Sequence, residues 1–184
     1  MSFSRATSSR TTSPSIKRNA KLRSNALSSS QQPLASDLRI IMSIAGIATE
    51  LERMADHAEG IAKITLRLAD EPLLKPLIDI PRMAAIARSM LKEQLTAFAN
   101  RDASTARRLS EQDDEVDRLY DQVFRELLVF MMNDPRTITR ATYLLWVAHN
   151  LERIADRTTN IGERVVFLTT GQVEELNVKR EQPG

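Results

Sequence analysis

Leu51-Glu52-Arg53-Met54-Ala55-Asp56 and Leu151-Glu152-Arg153-Ile154-Ala155-Asp156 lie 100 residues apart in a chain of 184. Around them, Ala48 matches Ala148 and Ile61 matches Ile161, giving seven identities between positions 46 and 63 at that offset. Two amphipathic helices of similar composition share an apolar period, but not a run of Leu-Glu-Arg, Ala-Asp and a downstream Ile in register. Duplication of a helical unit is therefore expected. Both segments carry apolar residues at alternating spacings of three and four, which marks one face of an α-helix. In the first, the stripe is Ile40, Ile44, Ile47, Leu51, Met54, Ala58, Ile61, Thr65 and Leu68. In the second it is Val147, Leu151, Ile154, Thr158, Ile161, Val165 and Leu168.

Working outward, the first helix is expected from about Leu34, capped by Ser36 or Asp37, to a stop at Pro72 and Pro76. Residues 71–81 hold three prolines and read as a stiff connector. A second helix is expected over about 82–98 and a third over about 104–132, with Asp102 as its cap. Asn133-Asp134-Pro135 breaks the chain, and a last helix over about 137–170 meets Gly171, a residue suited to a C-cap. No segment reads as a strand. Short connections near Asn100 and Asn133 make consecutive helices antiparallel. The expected fold is all-α, with 82–171 forming a complete three-helix unit and 34–70 only one helix of an equivalent unit.

Composition agrees. The chain is 42% hydrophobic and 27% charged, enough for a core, and only 4% aromatic with five glycines, which disfavours β architectures and glycine-rich nucleotide folds. It has no cysteine, hence no disulfide or thiolate metal site, and its two histidines, His57 and His149, are too few for a multi-histidine zinc site. No apolar run is long enough to span a bilayer. The net charge of +2 conceals an asymmetry. Residues 1–30 carry six basic side chains, ten serines and no acid, leaving 20 basic against 24 acidic residues elsewhere. That segment is expected to be disordered rather than a transit peptide, since it lacks an amphipathic stripe. A basic charge confined to a tail gives no nucleic-acid footprint.

The chemistry resides in acids. On the last helix Glu152 and Asp156 are expected nearly opposite the apolar stripe, with Asn160 and Glu163 continuing their row and Ala148 and Ala155 keeping the surface shallow. Glu52 and Asp56 take the same angular position on the first helix, with Gly60 where Asn160 stands, and Asp113, Asp117 and Asp121 form a third row. Like charges at i,i+4 repel by about a few tenths of a kcal/mol. A hard cation would turn that repulsion into shared coordination, and oxygen-only donors suit iron, manganese, magnesium or calcium, with zinc also accepting carboxylates. The plainer reading is a solvated acidic face. The di-iron pattern of ferritin-like bundles needs Glu-x-x-His on two helices, which is absent. Hydrolase elbows, phosphate loops and dinucleotide fingerprints are also absent, so no enzyme is expected.

Gln31-Gln32-Pro33-Leu34-Ala35-Ser36-Asp37-Leu38-Arg39, Leu51–Asp56, Asp113–Asp117, Asp134-Pro135-Arg136-Thr137-Ile138 and Leu151–Ile161 together resemble the PhoU family of bacterial phosphate-signalling proteins, over about residues 31–175. The resemblance implies two similar three-helix bundles and surface clusters of multinuclear iron or zinc held by repeated Glu/Asp-x-x-x-Asp motifs. By it, Glu152, Asp156 and Asn160 with Asp113 and Asp117 would be metal ligands of the second bundle, and Glu52 and Asp56 of the first. It further implies a cytoplasmic negative regulator of phosphate uptake and starvation signalling that acts on a phosphate ABC transporter and a phosphate-sensing histidine kinase. The family has two more helices before the Gln-Gln-Pro segment. The expected organisation is thus a tail over 1–30, a remnant of the first bundle over 31–75, a complete bundle over 76–175 and a flexible tail over 176–184. A frameshift or misassigned start is the expected origin of residues 1–30, with a truncation completed by homodimerisation as the alternative. Gly60 predicts a weak first site. Competing readings are a metal-free helical adaptor whose acids meet a basic partner, and an accessory protein of a different phosphate transporter.

Overall fold

The computed structural model describes the backbone of residues 14–177 and the side chains of residues 35–177. Expectations for residues 1–13 and 178–184 lie outside them. Helix α1 spans Pro14–Leu68, α2 Asp79–Asn100, α3 Ala103–Ser110, α4 Asp113–Asn133 and α5 Ile138–Thr170, with a 3-10 turn over Pro135–Thr137. The fold is all-α, and the described residues contain no strand. Two compact units divide at α1: Met1–Leu38, and Arg39–Gly184, within which the connector joins α1 to α2.

In the second unit, α5 is the central helix. Along α1, Ser43, Glu50 and His57 meet Arg164, Arg157 and Asn150 in turn, so α1 runs antiparallel to α5. Gln94 of α2 lies against Gly162 near the far end of α5, while Ile80 and Leu144 line one cleft at the near end, so α2 runs parallel to it. Tyr120 of α4 stacks near His149 and Asp113 near Asp156, making α4 antiparallel. The main core joins Met83, Ala87 and Met90 of α2, Val116, Val123 and Leu127 of α4, and Ala141, Ala148 and Ala155 of α5. Alanines on α5 let α2 and α4 approach closely on one face, while Ile161 on its other face packs against Ile47 and Met54 of α1.

Three local differences from the sequence reading have physical causes. First, α1 does not start at a Ser36 or Asp37 cap but at Pro14, inside the segment whose composition suggests disorder. Proline suits a first helical position because its missing N–H would have no partner there. Second, the helix expected from 104 to 132 is broken at Glu111 and Gln112, whose N–H groups bond back three residues to Arg108 and Leu109. One turn before the break, the Ala106 carbonyl also accepts from Gln94 Nε2 at 2.8 Å and Ser110 Oγ at 3.1 Å. Side chains inserted into the ladder bend helices.

Third, the buried line of α1 is rotated from the expected stripe. Ser43, Ile47, Glu50, Met54 and Ile64 are buried, whereas Ile44 and Leu51 are exposed. Glu50 is 7% exposed and its neighbour Leu51 37%. Polar partners on α5 set this phase: Ser43 donates to the Arg164 carbonyl, Glu50 accepts from Arg157 and Asn160, and His57 meets Asn150. The other two expected caps are present. Asp102 accepts from the Thr105 N–H at 3.0 Å, and Gly171 closes α5 with φ 75.

Candidate functional site: an acidic cluster between α4 and α5

Asp113 is the first residue of α4, one turn before Asp117, and the break at Glu111–Gln112 places it beside α5. Glu152 and Asp156 face it from α5. They were expected to point at solvent, but each is only 8% exposed. α5 is covered on both faces, so a row opposite its α1-facing stripe is buried under α4 rather than solvated. The acids therefore line a seam within the bundle.

Burial is the main force pushing the Asp113 carboxyl up to about 7, and the charges of Asp156, Asp117, Glu152 and Asp114 add to it. The positive end of the α4 dipole normally favours an anion in a first turn. Here desolvation and four acidic neighbours outweigh it. Asp113 is 5% exposed, and its Oδ1 is buried without a hydrogen-bond partner. Asp156 is better supported: Asn177 Nδ2 donates to its Oδ1 at 3.0 Å and Arg153 forms a close ion pair with its Oδ2. His149 Nδ1 lies 3.4 Å from Glu152 Oε2. Burial, then the charges of Arg153 and His57, lower the His149 pKa against the pull of Asp156.

Four of the seven residues expected to form sites thus converge: Asp113, Asp117, Glu152 and Asp156. The other three do not join them. Asn160 faces α1, donating to Glu50 Oε2 at 3.3 Å. Glu52 and Asp56 are exposed on α1, and Asp121 is exposed beyond the seam.

Several functional neighbours escaped the sequence reading. Glu50 interrupts the Ile47–Met54 line at helical spacing, a signal visible in the sequence as an acid within an apolar stripe. Asn177 and Glu174 carried no such signal. Their segment is tied down because Arg107 clamps Glu174 through two hydrogen bonds and Glu163 accepts the Leu176 N–H at 3.0 Å. Burial leads the forces that raise the Glu163 pKa. Residues 176 and 177, expected to be flexible, are thereby held against the bundle.

The donors suit a hard cation: all four are carboxylates, and Asp113 offers a buried oxygen without a hydrogen-bond partner. Among the described residues, however, no group of three or more Asp, Glu or His side chains is arranged to hold a metal ion. A cation here would have to draw the carboxylates together and compete with Arg153 and Asn177 for Asp156. Among the described residues no helix is long and apolar enough to cross a membrane.

A profile of the PhoU domain matches residues 17–65 and 80–165. The chain is 42% identical over 142 residues to a phosphate-specific transport system accessory protein PhoU homolog of Rhizobium meliloti, covering 77% of this chain and 60% of the relative. Its identity to the protein of the same description from Aquifex aeolicus is 44% over 142 residues, covering 77% and 64%. The chain thus spans between three fifths and two thirds of the length of these two relatives. Among solved structures, PhoU from Pseudomonas aeruginosa superposes with a TM-score of 0.72 at 34% identity, covering 86% of this chain and 76% of that one. The phosphate transport system regulatory protein PhoU from Streptococcus pneumoniae gives 0.69 at 37% identity, covering 76% and 66%. On the profile match, the identities and the shared helical bundle, the chain belongs to the PhoU family.

Proposed function

We propose that the chain is a negative regulator of phosphate uptake and phosphate-starvation signalling, acting as a cytoplasmic helical adaptor on a phosphate ABC transporter and its sensor kinase rather than as an enzyme. The reading rests on its relatives, whose names describe accessory proteins of the phosphate-specific transport system. In this proposal Asp113, Asp117, Glu152 and Asp156 hold a multinuclear iron or zinc centre. The supporting observation is Asp113, a carboxyl buried among acids with one oxygen lacking a hydrogen-bond partner. Such a centre would supply positive charge to the seam and fix α4 against α5. Glu152 and Asp156 would bind from α5, with Arg153 and Asn177 orienting Asp156.

A starvation-gene reporter in a bacterium lacking its own PhoU-family protein tests the regulatory reading. Expression of this chain should lower reporter output in phosphate-rich medium, and Glu152→Ala/Asp156→Ala should lower it less. Unchanged output from a folded, expressed chain contradicts the proposal.

A second reading is a metal-free adaptor whose acids meet a basic partner surface. The Arg153–Asp156 pair favours it, since a guanidinium already satisfies one of the acids. Excess chelator separates the two, because only the metal form should lose activity. Homodimerisation is part of the proposal as well. Ile41, Met42, Ile44 and Leu51 leave an exposed apolar face on α1, of the kind that marks interaction sites. Light scattering should find a dimer that Ile41→Asp/Ile44→Asp dissociates. A monomer at micromolar concentration contradicts it.

A further inference from the structure

At the end of the bundle where α5 begins, an open cleft of about 460 Å³ lies beneath the connector. Its walls include Ile61, Ile64 and Leu68 of α1, Ile80 of α2, and Leu144 and Val147 of α5. Ala69, Leu73 and Leu77, which follow α1, complete the apolar lining, and Thr65 and Glu71 are its polar members. The volume falls within the range of small-molecule sites, roughly 300–1,000 Å³. Every apolar wall is aliphatic, so the cleft offers no aromatic ring on which a planar ligand could stack. Leu73 is 71% exposed at the mouth, leaving apolar surface in water that an aliphatic occupant would cover.

The mouth carries its own charge recognition. A small cavity shares Leu68, Glu71, Leu73 and Leu144 with the cleft and adds Arg140. Arg140 Nη1 donates to the Pro72 carbonyl at 3.0 Å, which fixes the guanidinium at the connector, and its Nε lies 3.4 Å from Glu71 Oε2. Glu71 shows that a carboxylate can reach this guanidinium. Its own side chain is 53% exposed, and an exposed ion pair is weakly held, so a better-placed carboxylate can exchange for it. Arginine favours carboxylate through paired N–H donors.

We infer that this cleft binds a single-chain aliphatic monocarboxylate, with the chain among the leucines, isoleucines and valine and the carboxylate on Arg140 in place of Glu71. The inference does not depend on the phosphate-regulatory reading. It assigns the connector a ligand-binding role at the end of the bundle where α5 begins.

Isothermal titration of the full chain with laurate below its micellar concentration tests this, with 1-dodecanol as the headless control. Wild-type protein should bind laurate saturably. Arg140→Gln should weaken laurate about tenfold or more while leaving dodecanol within about twofold, as loss of a charge-assisted contact requires. Glu71→Gln should tighten laurate by removing the competing carboxylate. Thr65→Phe adds a ring at an exposed position on the cleft wall and should abolish binding of both ligands, with its helical circular dichroism unchanged. Absence of saturable laurate binding to the wild type overturns the inference. So does equal laurate affinity in wild type and Arg140→Gln, or undiminished binding by folded Thr65→Phe.

Discussion

Asp113 makes the metal-free protein pH-sensitive in a direction opposite to that of most carboxylates. Its pKa is held at about 7 in the fold against an ordinary 3.8, so the native state keeps a proton that the unfolded chain releases. The contribution of Asp113 to stability is therefore greatest below about pH 4 and falls as pH rises towards 7, levelling off above it. At about 1.4 kcal/mol per unit, three units set a ceiling of about 4 kcal/mol at pH 8. Side-chain relaxation and water entry reduce what is observed, and about 2 kcal/mol is the expected loss. For a domain of this size that corresponds to a melting temperature lower by roughly 4–8 °C. Asp113→Asn removes the charge and keeps the shape. In chelator-treated protein it should melt about 4–8 °C above wild type at pH 8 and within roughly 2 °C of it at pH 4.5. Differential scanning calorimetry across pH 4.5–8 reads both. A wild-type melting temperature that does not fall over this range, or a slope that persists in Asp113→Asn, would refute the reasoning.

Other perturbations test the packing. A Cβ at Gly162 would lie 2.6 Å from Gln94 Nε2 and 3.0 Å from Ser110 Oγ, so Gly162→Ala should cost about 2–3 kcal/mol by overpacking and loss of the Gln94 bonds. Urea denaturation checks this, and a midpoint equal to wild type would contradict it. Glu50→Ala leaves the Arg157 guanidinium and Asn160 without their acceptor on α1 and should cost about 2–4 kcal/mol. Glu50→Gln, which still accepts a hydrogen bond, should cost less, as paired chemical denaturations will show. The Thr105 backbone N–H leads the interactions holding Asp102 down to about 2. Its capping contribution is present above about pH 4 and is lost as pH falls through 2. Asp102→Ala should therefore lower the melting temperature at pH 7 and lower it markedly less at pH 1.5.

Much of this fold was legible because periodicity and punctuation are local. Asp102, Asn133-Asp134-Pro135 and Gly171 each mark a boundary through chemistry within a few residues of itself. The break at Glu111–Gln112 was not legible, and the side chain that bonds the turn before it, Gln94, lies on a different helix. The phase of α1 was misread for the same reason: a pattern of apolar residues cannot show that Arg157, Asn160 and Asn150 wait on α5 for Glu50 and His57. The acids were identified by residue but not by environment. Their spacing placed Glu152 and Asp156 on one face, but only the packing of α4 shows that this face is buried. Asp113 gains its raised pKa from that same packing, so its environment required tertiary structure.

Whether the α4–α5 seam holds metal separates a metal-bearing regulator from a bare acidic docking surface. Inductively coupled plasma mass spectrometry of protein loaded anaerobically with iron, or separately with zinc, and then desalted measures it directly, alongside Glu152→Ala/Asp156→Ala. Metal should be retained in the wild type and lost in the double variant, with helical circular dichroism preserved in both. No retained metal in the folded wild type, or equal metal in the two proteins, would contradict it.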